Sequence, residues 1–228
     1  MEFRKTEGIV IKCQDYRRSS QIVTVYTRDY GKVIIIARGI NRLRNDLEGP
    51  FDLLQYVQVI FMNNPISQIN ILTGSKIYDN FPRLHFYYNR LPYCMAIAEL
   101  LKEMTPLEDA NPQLFDSVLD VLREIGSEKE LEEIRLITMA FLIRAVKILG
   151  YLPPTEKGWG KYNLFKNDYF GLFPIIRHIA DSKIPLERIK ISPDKIEKLG
   201  DFMHNYISQF VDCELKIKCY EKNYSFDY

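Results

Sequence analysis

Five runs rich in Ile, Val, Thr, Tyr and Phe fill the first 80 residues of this 228-residue chain, and no stretch between them carries a helical pattern long enough for a parallel crossover. That constraint decides more than composition does. Strands joined only by turns and loops pair mainly antiparallel, and a small sheet of this kind is stable when it closes on itself. "EGIVIKC" is the first run and "SQIVTVYT" the second; "RDYGK" then turns at Gly31 into "VIIIAR", so runs two and three form a hairpin. "FDLLQYVQVIFM" is the fourth, and its broken alternation predicts a β-bulge near Leu53–Leu54. After "NNP", "ISQINILTGSKIYD" is the fifth.

From "NFPRL" onward the apolar spacing is helical. Leu84, Tyr87/Tyr88 and Leu91 precede Pro92, and Met95, Ala98, Leu101 and Met104 follow it, so the proline kinks one helix or separates two. "NPQLFDSVLDVLREIG" starts at an Asn111 cap with Pro112 in its first turn and stops at Gly126. "KELEEIRLITMAFLIRAVKILG" runs to Gly150, with Glu132 and Glu133 near its start and Arg144 and Lys147 near its end, as the helix dipole favours. A last amphipathic helix starts at Ser192–Pro193 and carries the stripe Ile196, Leu199, Phe202/Met203, Tyr206 and Phe210. The expected class is α+β in two domains: a five-stranded barrel over 1–80, then a helical domain over 81–228 with an irregular segment at 151–185.

Net charge is +1, so attraction to a polyanion requires local segregation. Residues 1–80 hold eleven Lys/Arg against eight Asp/Glu, a net +3, while the remainder holds 20 against 22. In "GKVIIIARGINRLRN" an unbroken apolar strand runs straight into Arg38, Arg42 and Arg44, and the next acid is Asp46. A barrel strand must bury one face, whereas its connecting loop need not. Five-stranded barrels of the OB type bind single strands with a basic groove and aromatic platforms. Arg38, Arg42 and Arg44, with Lys32, Arg17 and Arg18, are the candidate phosphate contacts; Tyr16, Tyr26, Tyr30 and Tyr56 are candidate platforms. The plain alternative is that the arginines are solvated and the tyrosines pack. "EKGWGKYNLFKNDYF" interleaves Lys157, Lys161 and Lys166 with Trp159, Tyr162, Phe165 and Tyr169, a pattern that suits a nucleic-acid surface or a loop pinned by its aromatics.

Enzyme signatures are missing: there is no Gly-rich phosphate loop, no GxSxG and no HExxH. Cys13, Cys94, Cys213 and Cys219 form no CxxC pair, and His85, His178 and His204 do not cluster with them, so free thiols and no metal or other cofactor are expected. "MEFRKTEGIV" lacks the apolar core of a secretory signal, and "LITMAFLIRAVKILG" is too short and too charged to cross a bilayer. A cytoplasmic protein without membrane contact is the expectation.

Residues 7–42, "EGIVIKCQDYRRSSQIVTVYTRDYGKVIIIARGINR", resemble the N-terminal barrel of the RecO family of recombination mediators, matching at Glu7–Val10, Asp15–Tyr16, Tyr26–Thr27, Gly31–Lys32 and Ala37–Arg42. "GPFDLLQYVQVIF" is similar to the family's Gln-Pro-Phe strand, with Gly49 in place of Gln; "LTGSKIYDNFPRL", "NPQLFDSVLDVL" and "LIRAVKILGYLP" extend the likeness. The resemblance implies an OB barrel ahead of a helical domain. It implies binding of single- and double-stranded DNA, annealing of complementary strands, and recombinase loading beside the partner RecR, in bacterial cytoplasm at the nucleoid. It also implies contact with the acidic, aromatic-ended tail of the single-stranded DNA-binding protein, for which Arg135, Arg144 and Lys147, beside an apolar stripe, are the candidate receptors. Many relatives carry a four-cysteine zinc module in the region of 151–175, where this chain has no cysteine, so no zinc is expected. The family's Leu-Lys-Ser-Arg stands here as Leu215, Lys216, Ile217 and Lys218, leaving Lys216 and Lys218 as further phosphate candidates. The rival readings are an OB-fold adaptor that binds only proteins and an enzyme with an unrecognised site.

Overall fold

The computed structural model describes residues 2–41, 47–81, 88–153, 169, 171–181 and 191–210. Strands β1 (Phe3–Tyr16), β2 (Ser20–Thr27), β3 (Gly31–Ala37), β4 (Tyr56–Met62) and β5 (Ile69–Asp79) close into a barrel in the order β1-β2-β3-β5-β4. All pairings are antiparallel except β3–β5, which is parallel over Ile34↔Ile69, Ile35↔Asn70 and Ile36↔Ile71. This is the five-stranded OB-type barrel expected. Alternation puts Val23, Val25, Ile35, Val57, Val59 and Phe61 inside, each at most 1% exposed.

The expected bulge at Leu53–Leu54 is instead a turn before β4, with Leu54 held at φ 67°. The register breaks of β4 against β5 lie at Tyr56/Val57 and Ile60/Phe61, and β1 has its own between Val10 and Lys12. Ile9 and Ile11 face the helices and join the helical core, and the shift after Val10 turns Lys12 outward with Thr24 and Cys13 inward with Val23.

The helices are α1 (Leu91–Met104), α2 (Pro112–Ile125), α3 (Leu131–Ile148), α4 (Phe173–Asp181) and α5 (Pro193–Ile207), with a 3₁₀ turn at Tyr88–Arg90. Pro92 lies in the first turn of α1, where its missing N–H costs nothing. The Asn111 side chain accepts from Leu114 N at 2.9 Å, and Glu130 and Glu133 form a capping box on α3. Gly150, at φ 81°, ends α3 in the left-handed conformation. Ser192 occupies the cap position of α5 but makes no side-chain cap bond. The expected irregular segment 151–185 holds a true helix, α4, whose Phe173, Ile176 and Ile179 are buried. Trp159 and its neighbours lie outside the described residues.

Barrel and helices share one core. Ile9, Ile11, Tyr26 and Leu54 pack with residues of the helices. The link between α1 and α2 lies along the β2–β3 hairpin, where Glu108 N donates to Lys32 O at 3.0 Å, and beside it Arg28 forks onto both carboxylate oxygens of Asp116 on α2 at 3.1 Å. Gly31 meets this link backbone to backbone, at φ 64°; a Cβ there would sit 2.1 Å from Asp109 O. Gly31→Ala therefore adds both a left-handed penalty and an immovable clash, and should lower stability by about 3 kcal/mol in urea denaturation.

Tyr26 is fully buried beside Phe115, and its hydroxyl has no hydrogen-bond partner among the described residues. Burial, then the field of Asp109, pushes its phenol well above the usual 10.0. Above that pH the unfolded phenol releases its proton while the folded one keeps it, so stability falls as pH rises. Tyr26→Phe should raise stability by about 1 kcal/mol. The variant should also lose less stability than the parent between neutral pH and the alkaline range, measured by paired denaturant titrations.

Candidate nucleic-acid interface

The β1–β2 turn and the exit of β3 meet at one end of the barrel because Gln21 pairs with Ala37. Two bonds fasten them: Gly39 N donates to Ser20 Oγ at 3.3 Å, and Asn41 N donates to Ser19 O at 3.2 Å. Gln21, 7% exposed, then exchanges bonds with the backbone of Phe51, donating from Nε2 to its carbonyl at 3.2 Å and accepting its N–H at 2.9 Å. The chain leaving β3 and the chain returning toward β4 are thus both held by the start of β2. Sequence reading missed Gln21; its inward place in the alternation of β2 was the available signal.

This scaffold brings together Arg17, Arg18 and Arg38, all exposed. Among the described residues no carboxylate lies within ion-pair distance of any of them. Arg17 adopts φ 56°, a conformation costly for a residue with a Cβ, and its guanidinium lies 5.2 Å from the centroid of the half-buried Tyr16 ring. The turn thus presents Arg17 and Arg18 side by side. Asp15 and Asp52 act on Cys13: burial, then these two carboxylates, raises its thiol pKa.

Other expected contacts are placed differently. Lys32 is 9% exposed; its ammonium donates to Lys102 O, and burial lowers its pKa. It fastens the hairpin to α1, so it does not join the arginines. Tyr26 is beneath the helices, Tyr30 stands edge-on to Phe61 at 5.9 Å with Arg4 over its ring, and Tyr56 donates to Glu7 Oε2 at 2.8 Å. Burial and that bond push the Tyr56 phenol up to about 12. Arg42, Arg44, Lys216 and Lys218 lie outside the described residues.

The expected tail receptors on α3 are engaged within the chain. Arg135 has a side chain 3% exposed and pairs with Glu132 at 3.1 Å. Arg144 Nε donates to Ile179 O at 3.1 Å, and Lys147 Nζ donates to Ala180 O at 3.1 Å and to Asp181 at 2.8 Å. The last two satisfy carbonyls that the C-terminal end of α4 leaves without helical partners. Burial lowers the pKa of Arg144, and the bond from Lys147 lowers that of Asp181.

Arg17→Gly separates recognition from stability. Glycine accepts φ 56° without strain, so the unfolding midpoint should hold or rise, with a gain of about 1 kcal/mol at most. The phosphate contact expected of Arg17 would show as a several-fold fall in DNA affinity at low salt in an anisotropy titration.

Two family models match the chain: the N-terminal part of recombination protein O over residues 1–81, and its C-terminal part over residues 85–174. A DNA repair protein RecO of Halalkalibacterium halodurans is 29% identical over 155 residues, covering 68% of this chain and 59% of that protein. One of Rhodopirellula baltica is 30% identical over 150 residues, covering 66% and 54%, and one of Listeria monocytogenes is 28% identical over 153 residues, covering 67% and 58%. The matched part therefore spans little more than half the length of these relatives. With a closed barrel and a helical domain in the order of the two matched models, the chain belongs to the RecO family.

Proposed function

We propose that this chain is a recombination mediator in DNA repair, which binds single- and double-stranded DNA at the arginine-bearing end of its barrel. The observation that carries the reading is the group Arg17, Arg18 and Arg38, on two segments fastened together by the Gly39–Ser20 and Asn41–Ser19 bonds and without an ion-paired carboxylate among the described residues. Phosphates placed there displace condensed counterions, which supplies affinity without reading sequence. Neutralising two strands at one surface lowers their mutual repulsion and favours annealing. The reaction is an exchange of binding partners with no covalent step.

Recombinase loading on DNA coated by single-stranded DNA-binding protein, cooperation with RecR, capture of that coating protein's acidic tail, and a cytoplasmic, nucleoid-associated location complete the proposal. These rest on family membership and not on Arg135, Arg144 and Lys147, whose cationic groups already have partners in the fold. Among the described residues no helix is long and apolar enough to cross a membrane. A protein-only adaptor is the second reading, and the solvent-exposed Phe3 and Ile66, at 65% and 97%, favour it.

Replacing Arg17, Arg18 and Arg38 together by alanine tests the proposal. The slope of log affinity against log salt for a single strand should shrink by about 2, at about 0.7 for each phosphate no longer neutralised. The unfolding midpoint should stay unchanged. A wild-type chain with no salt-dependent DNA affinity would leave the adaptor standing.

A further inference from the structure

The barrel face beside these arginines has an uncommon makeup for a surface that holds single strands. Outward positions run across three strands in register: Gln14, Ile22 and Ile36 in one row, Lys12, Thr24 and Ile34 in the next. Tyr16, paired with Ser20, begins the row nearest the turn. The three isoleucines are half-buried and β-branched, and offer no flat ring for a base. Tyr16 is the one aromatic among the described residues of these rows, and the Arg17 guanidinium already lies against it. The remaining barrel tyrosines are committed elsewhere: Tyr26 under α2, Tyr30 on Phe61, and Tyr56 with Tyr78 across β4 and β5. The cations, by contrast, lie along one side and one end of the face, with Lys12 on β1 and Arg17, Arg18 and Arg38 at its end.

Stacking and phosphate contact are separable sources of affinity. Each stacked base contributes enough that its removal weakens binding about fivefold or more. A face with cations, aliphatic side chains and one ring already lying against Arg17 has the second source and little of the first. We infer that the outer face of β1–β2–β3 holds a strand by its sugar–phosphate backbone alone, with the bases turned away from the protein. This rests on the DNA-binding reading above and specifies what that site recognises: a polyphosphate chain of any base composition. Its consequence is functional. A strand held this way keeps its hydrogen-bonding edges exposed, so a complementary strand pairs with it without first displacing the protein. A stacking surface would have to release each base before pairing.

The test uses the full chain and fluorescence anisotropy at low and moderate salt. The probes are a mixed-sequence single strand and an oligomer of the same length that is abasic at every position. The abasic oligomer should bind within about twofold of the base-bearing strand, because no stacking is forfeited. A weakening of about fivefold or more would overturn the inference and leave the DNA-binding reading intact. Ile36→Trp places a ring on the face at a strand position that tolerates aromatics, and an unchanged unfolding midpoint verifies its fold. It should tighten the base-bearing strand by about fivefold, leave the abasic one unchanged, and slow annealing. Equal affinity of the variant for both oligomers would put the strand off this face and overturn the inference. Absence of salt-dependent binding to either oligomer by the wild type would remove the DNA-binding reading, and this inference with it.

Discussion

The parallel contact of β3 with β5 is short, Ile34–Ile36 against Ile69–Ile71, yet barrel closure depends on it. Asn70, 1% exposed, reinforces it from within: its amide donates to Ile34 O at 3.3 Å and accepts from Asn64 N at 3.1 Å. A buried amide so paired costs little, whereas an apolar residue there would leave Ile34 O without that partner. Closure defines an inside and an outside for every strand. It thereby determines that Val23 and Val25 fill the core while Ile22 and Thr24 face outward, and that the β1–β2 turn stands beside the exit of β3.

The second constraint is the joint at Gly31. The hairpin tip and the α1–α2 link approach so closely that only a residue without a side chain fits. Around this contact lie the Arg28–Asp116 fork, exposed on both sides and worth little alone, and the buried Lys32 ammonium on Lys102 O. Backbone contact and shared apolar core, more than the ion pair, hold barrel and helices as one body.

Much of this is legible along the chain. The alternation of β2 to β4, the Gly31 turn, the Asn111 cap and the stripe of α5 follow from local periodicity and capping chemistry, which act within a few residues. What escapes depends on distant neighbours. Lys32 follows a turn glycine and reads as a surface cation; its fate is decided by Lys102, seventy residues away. Arg144 and Lys147 read as cations beside an apolar stripe, open to a partner, because the carbonyls they meet belong to α4, inside a segment whose glycines and aromatics hide its helix. Leu54 in a left-handed turn breaks the strand pattern much as a bulge does, since the two leave similar marks on alternation. At the arginine end, composition points to Arg38, while the pairing of Gln21 with Ala37 is what sets Arg17 and Arg18 next to it.

A sheet that closes gives every strand two neighbours over part of its length, which shortens the ladder on which another chain can grow. Between the parallel β3–β5 contact and the bridge from Lys32 to Leu107, even the start of β3 is covered. Along its doubly paired stretches a partner joins this barrel through side chains, so those contacts can be exchanged residue by residue while the frame beneath stays the same, and these stretches offer little template for the edge-to-edge stacking that drives aggregation.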